Sequence, residues 1–324
     1  MLAVRLLSGS SLEGVAVDPD GDIPDAAVWI DLLSPVPPED KMVERAIGVA
    51  VPTREEMQEI EPTSRLYVEN GARYMTATLM CRSESDNPTT TAVTFILSGH
   101  RLITVRYDEP RPFSIVANKL ARQCPAGITG ETVLMELLDA IIDRSADILE
   151  RIGSEVDGVS RTIFEPERPD GERIQSQDIL RAIGRTGDLT SKARECLVSI
   201  GRLLLYLANE ADGMRWAKDQ RATLKGMQRD VQSLSDHATY LANKITFLLD
   251  AMVGVVTIEQ NNIIKIFSVA AVVLMPPTLI ASIYGMNFKH LPELEFAYGY
   301  PMALLLMVAA AIVPYVLFKW KKWL

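Results

Sequence analysis

The sequence is poor in the residues that build transition-metal cages. It holds three cysteines and three histidines. Cys81, Cys124 and Cys196 form no CxxC pair, and His100, His237 and His290 each stand alone. That excludes the usual zinc spacings and fits a reducing compartment. Any divalent ion handled by this chain therefore meets oxygen ligands, which suit a hard cation. Basic residues are not in surplus either. The formal net charge of −9 argues against nucleic acid as a partner and is compatible with cation handling. There is no P-loop, no nucleophile elbow and no Cys/His constellation, so nothing points to an enzyme.

Charge is also missing locally, and here the absence is informative. From Ile266 to Ile283 no residue is charged, and a helix over that run would reach about 27 Å, close to the hydrocarbon thickness of a bilayer. A second uncharged run covers Phe296 to Phe318 and ends in Lys319-Trp320-Lys321-Lys322-Trp323. The two runs read as a transmembrane hairpin, with spans at about 263–284 and 299–318 and a loop over 285–298. Lys265 sits at the start of the first span and the lysine cluster follows the second. The loop carries Lys289 offset by Glu293 and Glu295. The positive-inside rule then places both termini in the cytoplasm.

The first span carries a second pattern. Asp250, Gly254, Thr257, Asn261, Ile264, Ser268, Ala271, Met275 and Thr278 are separated by alternating steps of four and three. This is a heptad seam, yet most of its members are small or polar. Polar side chains in lipid usually face a bundle interior or water. Two readings fit: the helix repeats around an axis and lines a pore, or it packs tightly through small residues.

The rest of the chain reads as α+β. Residues 1–125 form a mixed domain. Leu2–Leu7 and Val28–Leu33 are strands, with a turn at Asp18-Pro19-Asp20-Gly21-Asp22 between them. That turn resembles the start of a calcium loop but lacks the closing acid. Thr53-Arg54-Glu55-Glu56 is a capping box opening a short helix. Asn70-Gly71 and Ser98-Gly99-His100 are the tips of two hairpins, over Leu66–Met80 and Ala92–Arg106. The expected sheet has five to seven strands, mostly antiparallel, with His100 an exposed turn residue. Residues 126–262 are helical: a helix over Ser114–Gln123 leads in, then Glu131–Thr162, then Ile174–Ala208. A last helix runs from Met214 to Tyr284. Its positions Leu224, Met227, Val231, Leu234, Ala238, Leu241, Ile245, Leu248, Met252 and Val255 form an apolar heptad, the mark of a packed stalk. Residues 263–324 are the hairpin, and Pro276-Pro277 is expected to kink the first span.

At the outer end of that span stands Tyr284-Gly285-Met286-Asn287-Phe288, followed by Leu291-Pro292-Glu293-Leu294. With Ile258-Glu259-Gln260-Asn261, Met275-Pro276-Pro277-Thr278-Leu279, Gly299-Tyr300-Pro301 and the Lys-Trp-Leu end, this resembles the CorA-type magnesium transporters, the enterobacterial-type branch above all. Trp29-Ile30-Asp31-Leu32 and the run from Pro52 to Tyr67 extend the resemblance more loosely into the first half. The resemblance implies a funnel-shaped homopentamer in a bacterial inner membrane, with the soluble domain cytoplasmic and the first span lining the pore. It implies influx of Mg²⁺ driven by the membrane potential, with Co²⁺ and Ni²⁺ as side substrates, no organic cofactor, and closure by cytoplasmic Mg²⁺. It places Gly285, Met286 and Asn287 at the selectivity filter. Asp250, Asn261, Ile264, Met275 and Thr278 fall on its pore-facing positions, and Ser268 and Ala271 share their seam.

Five Asn287 carbonyls could accept hydrogen bonds from the waters of a hydrated ion without stripping them, while Gly285 is expected to turn the backbone sharply enough for them to converge. Glu293 would concentrate cations at the mouth, or is a solvated loop charge. Ile264 and Phe267 are the choice for an apolar gate that closes by dewetting. The family's regulatory acids fall at Gly226 and near Met57, which do not match. The site stays unassigned, with Glu56 and Asp230 as candidates and Glu55 and Glu59 close by. The rival readings are a zinc or other transition-metal transporter of the same superfamily and a membrane-anchored coiled-coil scaffold that conducts nothing.

Overall fold

The computed structural model describes residues 1–9, 11–15, 21–85, 87–125, 127–165, 175–211, 213, 216–286 and 298–321. Most of the expected 18–22 turn lies outside these residues, as do Asn287 and Glu293. The chain divides into two units, Met1–Leu249 and Asp250–Leu324.

The first unit is built on a seven-stranded sheet. Its strands are β1 (Leu2–Ser8), β2 (Ser11–Val15), β3 (Ala27–Leu33), β4 (Leu66–Glu69), β5 (Ala72–Cys81), β6 (Thr89–Ser98) and β7 (Arg101–Arg106), in the order β2-β1-β3-β7-β6-β5-β4. Only β3 and β7 run parallel; the other neighbours are antiparallel. This is the α+β class expected. Asn70 and Gly71 sit at φ 50° and 78°, the left-handed pair that a two-residue hairpin turn needs. Gly99 has φ 59° at the second hairpin tip, and His100 beside it is exposed.

The period of two sorts the strands onto two faces. Ile30, Ile103, Val105, Ile96 and Tyr74 form one apolar cluster with Met42 and Val43 of α1 (Pro37–Ile47) and Met57 of α2 (Arg54–Met57). The alternate residues Trp29 and Phe95 face Phe113 of α4 (Arg111–Arg122), with ring centroids 6.3 and 6.1 Å apart. A single turn, α3 (Pro62–Arg65), leads into β4. Strand β5 outruns β4, and Ser199 of α6 (Ser176–Glu210) accepts the Thr78 N–H at 2.9 Å, which covers the edge left open.

Besides the single turn α3, two elements escaped the sequence reading. Helix α1 starts at Pro37-Pro38, a pair that reads as a loop. Proline at the first helical positions gives up an N–H that has no helical partner anyway, and Glu39 accepts the Val36 N–H at 3.1 Å to close the end. Strand β2 is short and lacks apolar alternation, and it is held by pairing with β1.

The long helices lie within a few residues of their expected bounds: α5 (Gly130–Phe164), α6, and α7 (Lys218–Tyr284). In its first stretch α7 buries Leu224, Met227, Val231, Ala238, Leu241, Ile245 and Leu248. Gly201 of α6 brings that helix close, since a Cβ there would meet Val231 Cγ1 at 3.5 Å. Lys244 holds Asp157 of α5 at 2.5 Å, and Phe164 stacks on Phe247 at 6.2 Å. The second unit contains the remainder of α7 and α8 (Gly299–Trp320).

Candidate ion pathway

Seam positions Asp250, Gly254, Thr257, Asn261, Ile264, Ser268, Ala271, Met275 and Thr278 all lie on α7, and all are exposed in the single chain. Phe267 is exposed as well. One helix therefore carries the whole seam, and among the described residues it stays uncovered.

Local chemistry makes this seam an acceptor surface. The Thr257 hydroxyl donates to the Val253 carbonyl at 2.8 Å, and the Thr278 hydroxyl donates to Leu274 at 2.7 Å. Each hydroxyl proton is spent on the helix's own backbone, so each threonine turns lone pairs outward. Pro276 and Pro277 sit inside α7 and have no N–H to give. The carbonyls of Val272 and Val273 lose their helical donors, but neither residue is a seam position, so the acceptors on the seam are the threonine hydroxyls. Waters bound to a cation offer only protons, so a surface of acceptors suits a hydrated ion.

Gly285 ends the helix without a left-handed turn. Its N–H still donates to Ala281 at 2.9 Å, and its φ lies outside the positive range. The chain leaves the helix in a turn at Gly285 and a bend at Met286, and the course on to Asn287 lies outside the described residues. Glycine fits here because a Cβ would stand 3.1 Å from the Ala281 carbonyl oxygen. Met286 follows, exposed, its N–H 3.3 Å from the Ile283 carbonyl.

The apolar surface around the seam is large. Ile266, Phe267, Leu274 and Leu279 are each at least 60% exposed, and α8 shows Leu305 and Val313 similarly. Within 263–284 and 299–320 the buried residues are Val269, Gly299 and Ala303. Both helices are long and apolar enough to cross a membrane, and almost none of that apolar surface is covered within the chain.

The two regulatory candidates are placed apart in role. The Glu56 carboxylate caps α2, accepting from Thr53 N–H at 2.8 Å and from the Thr53 hydroxyl at 3.0 Å. Asp230 is exposed on α7. Asp139 of α5 has its carboxyl pushed up by burial, then by the charges of Asp143, Glu136 and Asp230. Among the described residues no group of three or more His, Cys, Asp or Glu could hold a metal, so neither candidate belongs to one. The three cysteines are buried and free, and burial pushes the Cys81 thiol up to about 12.

A further constellation lies within Trp29-Ile30-Asp31-Leu32 and strand β7. Asp31 and Arg106 are both buried, paired at 2.8 Å, and Thr104 donates to the same carboxylate at 2.7 Å while accepting from the Trp29 indole at 3.0 Å. The available signal was an aspartate inside an apolar strand.

The chain matches the family model described as CorA-like Mg²⁺ transporter protein over residues 24–321. It is 33% identical over 324 residues, the whole of both chains, to the magnesium transport protein CorA of Pectobacterium atrosepticum. It is 35% identical over 300 residues, 92% of each chain, to the protein of that name in Pasteurella multocida. Its fold is similar to the complete structure of the CorA magnesium transporter from Methanocaldococcus jannaschii, with a TM-score of 0.78, 18% identity, and 100% and 99% of the two chains covered. A soluble sheet domain, a seam-bearing helix and two apolar helices thus coincide with a match across nearly the whole sequence, and the chain belongs to the CorA-like Mg²⁺ transporter family.

Proposed function

We propose that this protein carries Mg²⁺ into the cell across the bacterial inner membrane, driven by the membrane potential. The observation that carries the reading is the full-length relation to a magnesium transport protein, which leaves neither span and no part of the soluble domain unmatched. In this reading residues 1–125 and 126–262 are cytoplasmic, residues 263–324 form the transmembrane hairpin, and both termini are cytoplasmic.

Five copies place their seams around one axis. Gly285, Met286 and Asn287 form the filter at the outer mouth, and Glu293 draws cations to it. Asp250, Asn261, Ser268, Ala271, Met275 and Thr278 line the path, with Ile264 and Phe267 as its apolar constriction. The seam supports this because its threonines present acceptors to hydrated ions. Internal Mg²⁺ closes the path through ligands still unassigned, Glu56 and Asp230 being the candidates. Co²⁺ and Ni²⁺ pass as side substrates. The protein is a transporter without enzymatic activity or organic cofactor.

Complementation tests the reading. A bacterium stripped of its magnesium transporters and dependent on supplemented Mg²⁺ should grow without the supplement when it expresses this chain. Membrane-localised protein that leaves the supplement requirement unchanged would count against magnesium transport. Restored zinc uptake in its place would favour the transition-metal reading.

A further inference from the structure

The sheet face that carries Trp29 also holds a cleft of about 470 Å³, bordered by β1, β3, β7 and the start of α4. Three guanidinium groups line it: Arg5, Arg106 and Arg111. Two of them are spoken for. Arg106 pairs with Asp31 at 2.8 Å, and Arg111 pairs with Glu84 at 2.5 Å. Arg5 differs. Its guanidinium lies 4.3 Å from the Trp29 ring centre, and no ion pair joins it to an acid among the described residues. Its Nη1 is buried and has no hydrogen-bond partner there. Burial pulls its pKa down, against the opposing charge of Asp31. Both Asp31 oxygens are already taken, by Thr104 and by Arg106. Glu109, at the rim, is the one other acid lining the cleft, and it is exposed.

Nη1 is sealed from solvent, but Arg5 as a whole is only half-buried and lines the cleft, so the rest of its guanidinium is open there to an acceptor that the fold does not supply. The matching group is an oxyanion, because the planar fork of arginine presents donors at the spacing of two oxygens. The cleft has room for more than a bare ion. We propose that this cleft binds a small oxyanion, a phosphate or a carboxylate, with Arg5 as its main donor and Arg111 at the rim. The proposal is independent of the transport reading, since every residue it uses lies in Met1–Leu249.

Calorimetric titration of the detergent-solubilised full chain tests it, at low salt, with inorganic phosphate in one arm and acetate in the other. Saturable heat is expected in at least one arm, and the stronger arm names the anion. Arg5→Met should weaken that binding about tenfold or more, as should Arg111→Ala to a lesser degree. Arg111 is exposed, so its variant keeps the test open should Arg5→Met fail to fold. No saturable binding by the wild type in either arm, or unchanged affinity in the folded variants, would overturn the proposal.

Discussion

Arg106 and Asp31 are buried together, and each is tolerable only because of the other. Removing one partner leaves a buried charge, which costs about 3–5 kcal/mol. Arg106→Met should therefore lower stability by about that amount, read from the thermal midpoint by near-ultraviolet circular dichroism. A midpoint equal to wild type would show that Asp31 finds another partner. Gly130 poses a steric case. A Cβ there would sit 2.4 Å from the backbone of Arg101 and Leu102, with no flexible side chain to move aside. Gly130→Ala should destabilise by about 1–3 kcal/mol or more. Proton linkage acts at the same scale. Burial pushes the Tyr74 hydroxyl up to about 12 from 10.0 and the Cys81 thiol up to about 12 from 9.0. The folded chain keeps these protons at pH values where the unfolded chain has lost them. Stability is then full below the unfolded values and falls as pH rises from roughly 9 towards 12. Tyr74 also donates to the Ala50 carbonyl at 2.9 Å. Tyr74→Phe should lower the midpoint at neutral pH yet flatten its alkaline decline; an unchanged alkaline slope would contradict the linkage.

Among the elements, the ones with strong local codes were legible before the structure. The Asn70-Gly71 hairpin and the heptads of α7 announce themselves, because turn chemistry and helical period are properties of a few adjacent residues. Helix α1 was not legible, since its prolines signal a break unless their place at a helix start is known. Strand β2 has no pattern of its own and depends on β1. The seam was readable as spacing. Its acceptor character was not, because that depends on where the hydroxyl protons of Thr257 and Thr278 go. The same geometry makes a prediction. Thr278→Val keeps the shape and removes the lone pairs, so uptake should fall about fivefold for the loss of roughly one hydrogen bond of about 1 kcal/mol. Unchanged uptake would place Thr278 off the path. The seam also constrains α7 itself. A strict heptad drifts by about 20° per repeat on a straight helix, so four repeats from Asp250 to Thr278 turn it about 80° off axis. For the seam to stay on one axis in the proposed assembly, its α7 helices would have to supercoil left-handed or bend at Pro276-Pro277.

For the whole molecule, we propose that several copies surround one Mg²⁺ path entered at Asn287. The exposed apolar surfaces of α7 and α8 have no cover among the described residues, and in the proposed assembly lipid and neighbouring copies supply it. Native mass spectrometry of the solubilised protein should give a pentamer, and a monomer would remove the axis on which the seam converges. The most direct measurement is Mg²⁺ uptake into proteoliposomes loaded with a magnesium-sensitive dye, under an inside-negative potential. The dye should respond with the wild-type chain and fail to respond with Asn287→Ala, both reconstituted to the same level. Equal uptake by the two proteins, or none by the wild type, would contradict this proposal.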